Sequence, residues 1–284
     1  MNRRCFLTAS AAFAGGGFWT APRSRAAPAP DLPFQLGCVT YNLLKDMDVP
    51  TIIRTLEAAG LAAVELRTGH KHGVEPLIGA TGRAQVREQF QRSKVRLLSY
   101  GTTCEFQSPD AAERRRQVET GKSFVDLARD TGAMAVKVRP NGLPNGVPYA
   151  ETIQHIANGL RELGDYGAPK GIEIWMEVHG RSTQEPKTSA EILTAAGHKN
   201  VGACWNSNPT DVKDGSVKQS FGLLRPFLRS AHINDLYSDY PWREFFHLLR
   251  ESGYQRYTLV EVAENNEPER FLRYYKALWQ QLCA

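Results

Sequence analysis

The sequence predicts an α/β protein folded as a single parallel (β/α)8 barrel, and three observations carry that expectation. Short apolar runs alternate eight times with stretches of helical character, and strands that alternate with helices imply parallel pairing through crossovers. The span from Phe34 to Ala284 is 251 residues, the usual size of one eightfold barrel at about 250. Glu177, Asn206, His232 and Glu261 each end an apolar run and recur 29, 26 and 29 residues apart. In a closed parallel barrel such strand ends open on one mouth.

Taken in order, strands are expected at 34–40, 62–66, 95–100, 134–139, 172–178, 201–206, 230–234 and 257–262, with a last helix at 268–281. Their interiors are mostly apolar, as a sheet covered by helices and filled inside requires, and their polar residues come late. Helix starts are marked by Pro50 before 51–59, Asp110 before 111–130, Ser189 before 190–196 and Pro241 before 242–252. Gly60, Gly132, Gly197 and Gly253 stand where these helices should stop. The longest irregular stretch, 140–148, holds Gly142, Pro144 and Gly146 and reads as a loop over the mouth, a candidate substrate lid.

Residues 1–30 read as a twin-arginine export signal and linker, leaving 31–284 as the barrel domain. Arg3-Arg4 precede an apolar, Gly/Ala-rich run from Ala9 to Trp19 that is too short for a comfortable span, and small residues follow around Ser24-Arg-Ala26. The expected location is periplasmic or otherwise extracytoplasmic, with no stable membrane span after cleavage. Loss of residues 1–26 removes Arg3, Arg4, Arg23 and Arg25 and no acid, so only one of the five net positive charges remains. A nearly neutral chain lacks the basic footprint of a nucleic-acid binder. Cys38, Cys104, Cys204 and Cys283 form no CxxC pair, which argues against a thiolate metal site or disulfide framework. Nothing in the sequence decides whether the chain forms a homo-oligomer.

Strand side chains alternate between faces, so Glu177 and His179 share a face, as do Glu65 and Arg67, Lys137 and Arg139, and His232 and Asn234. A mouth lined by two carboxylates, an imidazole and carboxamides suits one hard or borderline divalent ion, Mn²⁺, Mg²⁺ or Zn²⁺, with positions left for substrate oxygens. Lys137 reads either as a base whose pKa burial lowers or as the ion-pair partner of Glu65. His70 and His72 read as loop residues, and His155, His198 and His247 fall on helices or helix ends outside the barrel. Tyr41, Trp205 and Trp242 stand between sugar-stacking and core roles, whereas Trp175 reads as core.

These strand motifs resemble the xylose isomerase-like TIM-barrel superfamily, the sugar phosphate isomerase/epimerase group. The resemblance spans 34–284 and is carried by Ala63-Val-Glu-Leu-Arg67, Trp175-Met-Glu-Val-His179, Val201-Gly-Ala-Cys-Trp-Asn206, Ala231-His-Ile-Asn-Asp235 and Leu259-Val-Glu261, the last preceded by Gly253-Tyr254. It implies a single metal held by Glu177, Asn206, His232 and Glu261, with Glu177 and Glu261 also the acid/base pair. It further implies substrate-binding roles for Lys137, Arg139, His179, Asn208, Asn234 and Glu65. Three departures stand out: Asn206 replaces the family's aspartate, Pro209 replaces a histidine common three positions later, and Ser238 replaces an arginine common six after the seventh-strand histidine. Asn208 or Asp211 would have to compensate for the charge lost at Asn206.

The loops after strands seven and eight, Asp235-Leu-Tyr-Ser-Asp-Tyr240 and Ala263-Glu-Asn-Asn-Glu267, are acidic and lack glycine. Both features disfavour the phosphate site that many barrels build there. The expected partner is therefore a small, non-phosphorylated carbohydrate. The expected activity is isomerisation or epimerisation by proton transfer through an enediolate. The alternatives are a metal-dependent lyase or hydrolase of keto-glycosides and a non-catalytic sugar-binding barrel.

Overall fold

The computed structural model describes residues 32–284, so the expected export signal lies outside the described residues. The elements are β1 (Gln35–Val39), α1 (Val49–Ala59), β2 (Ala63–Arg67), α2 (Ala80–Gln91), β3 (Arg96–Gly101), α3 (Ala111–Thr131), β4 (Ala135–Val138) and α4 (Tyr149–Gly167). They continue with β5 (Glu173–Glu177), α5 (Pro186–Ala196), β6 (Val201–Asn206), α6 (Lys218–Leu224), β7 (Leu228–Ile233), α7 (Trp242–Glu251), β8 (Tyr257–Val260) and α8 (Pro268–Cys283). All eight strands pair in chain order into a closed barrel, and β1 meets β8 in parallel. This is the single (β/α)8 TIM barrel that the strand-helix rhythm predicts.

Local chemistry accounts for the helix ends. Asp48 caps α1 by accepting from the Thr51 N–H at 2.9 Å, with Pro50 in the first turn, and Gly60 ends it at φ 70°. Asp110 caps α3 in the same way. α5 begins four residues before the expected start, because Pro186 opens it and the Ser189 hydroxyl donates to the Thr183 carbonyl instead of capping. β8 stops at Val260, yet the Glu261 N–H still donates to the Ile233 carbonyl at 3.0 Å. Glu261 is thereby held at the strand end.

Two apolar clusters build the molecule. One lies between strands and helices, and the other fills the barrel with Val39, Ala63, Leu98, Ala135, Trp175, Cys204 and Leu259. Trp175 is core, and its indole N–H donates to Glu173 at 2.7 Å, where Arg256 makes two further bonds. Two residues beyond five of these interior side chains stand Glu65, Lys137, Glu177, Asn206 and Glu261. Period-two alternation therefore points each of them into the barrel one layer nearer the mouth. Among the described residues, Cys38, Cys104, Cys204 and Cys283 are buried and unpaired. No helix among the described residues is long and apolar enough to cross a membrane.

Candidate active site

A cavity of about 510 Å³ opens at the C-terminal ends of the strands. Its wall includes nearly all of the residues expected there: Lys137, Arg139, Glu177, His179, Asn206, Asn208, Asn234 and Glu261. The fully buried His232 ring forms the base of the site. Its Nδ1 faces Glu261 at 3.2 Å and Glu177 at 3.5 Å without making a hydrogen bond to either. One ligand atom from each of these three residues lies within 4.8 Å of the others. A buried, unpartnered nitrogen between two carboxylates is a donor set that fits a divalent ion. The Asn206 side chain lies on the same wall.

Glu65 is not on that wall. It is wholly buried behind His232, with Oε1 at 3.3 Å from the ring Nε2 and Oε2 accepting from the Ser99 hydroxyl at 2.7 Å. The sequence suggested that it meets a substrate, but its burial keeps it out of reach of one, and its Oε1 faces the ring Nε2 from below without a hydrogen bond between them. Gly101 makes room for it, since a Cβ there would lie 2.6 Å from Oε1.

Lys137 pairs directly with Glu177, not Glu65. Burial alone would lower the ammonium pKa, but Glu177, Glu65 and Glu261 outweigh it and push the value up, which favours the ammonium form over the free base. Burial alone would raise the Glu177 carboxyl, yet Lys137 and His232 hold it well below the usual carboxylate range. Burial also disfavours an imidazolium at 232, and the surrounding Cys204, Glu261 and Glu65 push that ring well above the usual histidine range. In effect, the cluster is a nest of carboxylates that favours positive charge at its centre.

Around this centre the other groups are tethered. Arg139 is ion-paired to Glu105 at 3.0 Å, the Asn208 amide donates to the Val178 carbonyl at 2.7 Å, and the Asn234 amide donates to the Ser207 carbonyl at 3.1 Å. Asp211 is not a wall residue: it is 1% exposed, and its Oδ2 accepts from the Asn208 N–H and the Tyr240 hydroxyl at 2.8 and 2.9 Å. Burial pushes its carboxyl up to about 8. It therefore braces the loop after β6 and adds no ligand beside Asn206.

Loop 140–148 contributes nothing to the cavity wall. Asn141 is instead bonded to Glu105 at 2.7 Å. Arg67, Tyr41, Asn42, Thr102, Ser207 and Asp235 also line the mouth. Arg67 is announced by its place two residues after Glu65, whereas Asn42 and Thr102 lie in loops that no periodicity marks. His70 and His72 brace that rim: Thr40 and the His70 ring are 2.9 Å apart, and His72 meets the Arg67 carbonyl at 2.9 Å. Trp205 packs outside the barrel on Phe245, with ring centroids 4.9 Å apart.

Fold and site together define an eightfold barrel with a carboxylate and imidazole centre at its mouth. The chain belongs to the xylose isomerase-like TIM barrel family, whose profile matches residues 53–278. No curated protein sequence matches it significantly. Among solved structures, it resembles L-ribulose 3-epimerase with a TM-score of 0.74 at 12% identity, over 88% of this chain and 94% of that one. It also resembles the Escherichia coli 3-keto-D-glucoside 4-epimerase YcjR, at 0.72 and 12%, over 88% and 100%. A third is the IolI protein with a binding zinc atom, at 0.68 and 18%, over 87% and 96%. At these identities the likeness establishes the fold.

Proposed function

We propose that this protein is a divalent-metal-dependent isomerase or epimerase acting on a non-phosphorylated sugar by proton transfer beside a carbonyl. The observation that carries the reading is the placement of Glu177 and Glu261 on either side of the His232 nitrogen, at the base of a polar cavity. Family membership and the sugar epimerases among the structural neighbours support it. Glu177, His232 and Glu261 would hold the ion, with the Asn206 carboxamide as a neutral fourth donor. When bound, such an ion polarises a substrate carbonyl and offsets charge developing on its oxygen.

The chain's own groups supply the rest. Glu261, the more open carboxylate at 19% side-chain exposure against 4% for Glu177, takes the proton from carbon and passes it to solvent, and Glu177, ionised in the resting site, takes up a solvent proton and returns it to the carbon from the other side. Lys137 keeps Glu177 ionised and places positive charge near the developing oxyanion. His179 and Arg139 steady substrate hydroxyls, and Asn208 and Asn234 order the opposite wall. An elimination reading, in which the same proton abstraction expels a leaving group from a keto-glycoside, draws support from a probable 3-DHS dehydratase among the structural neighbours, at a TM-score of 0.65 and 12% identity.

The test is metal analysis of the purified protein together with NMR of candidate sugars in deuterated water. One divalent ion per chain and solvent deuterium at a single carbon are expected. Glu177→Gln and Glu261→Gln should each slow exchange by roughly a hundred- to ten-thousand-fold. Undiminished exchange in both would remove their assigned roles, and release of an aglycone in place of exchange would favour elimination.

A further inference from the structure

Beside the mouth cavity lies a second one of about 420 Å³. Ser207, Pro209, Asn234 and Asp235 line both, so the two adjoin along a partition built by the loops after β6 and β7. Beyond that partition the annex is walled by Val212, Tyr240 and Trp242 and rimmed by Ser238 and Asp239.

Hydrogen bonds hold this corner rigid. The Tyr240 hydroxyl accepts from the Trp205 indole at 3.0 Å and donates to Asp211 at 2.9 Å, and the Trp242 indole lies 3.2 Å from the Ser238 hydroxyl. The Tyr240 and Trp242 rings meet at 4.4 Å and 41°, and the Asn234 amide ties the partition to the Ser207 carbonyl. Asp235 and Asp239 make no ion pair among the described residues. The half-buried Val212 and Tyr240, with Trp242 only 3% exposed behind them, give a wall that suits the C–H face of a pyranose, and carboxylates on the rim accept from its hydroxyls. The same carboxylates would repel a phosphate or a carboxylate.

We propose that the annex is a subsite for a second sugar ring, so that the substrate is a disaccharide-type glycoside whose first ring sits over Glu177 and Glu261. This rests on the sugar-processing reading of the mouth and names its substrate class.

The test compares binding of glucose, methyl glucoside, phenyl glucoside and a panel of glucosyl disaccharides to the metal-loaded protein by calorimetry, in wild type and in Val212→Trp and Ser238→Trp. Neither substituted residue touches the carboxylate centre. At least one disaccharide should bind tenfold or more tightly than glucose, and both substitutions should abolish that advantage while leaving glucose unchanged. Equal affinity for one and two rings, an advantage that survives both substitutions, a larger gain with phenyl glucoside, or no binding of any probe would overturn the proposal. Deuterium exchange separates the two readings. Exchange without a disaccharide advantage sinks the annex alone, and a disaccharide advantage without exchange or elimination sinks the catalytic reading alone.

Discussion

Glu65, Glu177 and Asp211 are all buried acids, and their neighbours give them two different states. Glu177 is held ionised by Lys137, and Glu65 is held below its usual range, against burial, by His232, Lys137 and Ser99. Asp211 has no cation, only the Tyr240 hydroxyl and the Asn208 N–H, and its second oxygen is unpartnered, so burial prevails and its carboxyl rises to about 8. The unfolded chain ionises near pH 4. This group therefore favours the native state fully in acid, and the contribution is lost as pH rises from about 4 to about 8. Asp211→Asn keeps an acceptor for both donors and removes the ionisation. Urea unfolding should find it more stable than wild type by about 2 kcal/mol at pH 7.5, with the difference vanishing near pH 4. A wild-type advantage at pH 7.5 would show an ionised, usefully paired Asp211.

Among the elements, β2 and β3 make the support for the imidazole. Their register shifts between Val64 and Glu65, and with Gly101 at the end of β3 the Glu65 carboxylate fits beneath His232. Gly101→Ala should push that carboxylate aside at a cost of about 1–3 kcal/mol, as overpacking does in a filled core. Metal affinity should fall by about ten- to a hundredfold as the ring loses its brace. Titration of the metal into the variant checks this; unchanged affinity would mean that Glu65 has no part in orienting His232. The helix boundaries were legible because caps act within a turn: Asp110 and Gly132 bound α3 as expected. The start of α5 was not, because Ser189 is drawn to the Thr183 carbonyl by the path of the preceding loop.

For the whole molecule, the two ends of the barrel divide the labour. The N-terminal end is closed by Trp175, Glu173 and Arg256, and the C-terminal end carries the charged cluster. We propose export by the twin-arginine route on the strength of Arg3-Arg4 and the apolar run behind them. Replacing both arginines by lysine should retain the protein in the cytoplasm in cell fractionation, and unchanged export would exclude that route.

The amino-acid order alone was enough to determine the eightfold rhythm, the single barrel and the candidates Glu177, Asn206, His232 and Glu261, because alternation and caps are encoded by residues within a few positions of one another. Tertiary structure alone decided that Lys137 joins Glu177, that Glu65 lies beneath His232, that Asp211 braces a loop and that an annex adjoins the mouth. Those pairings link residues 29 to 167 positions apart. They form only when the closed sheet brings its strand ends into one poorly solvated layer, where the nearest charge, and not sequence spacing, sets what each group does.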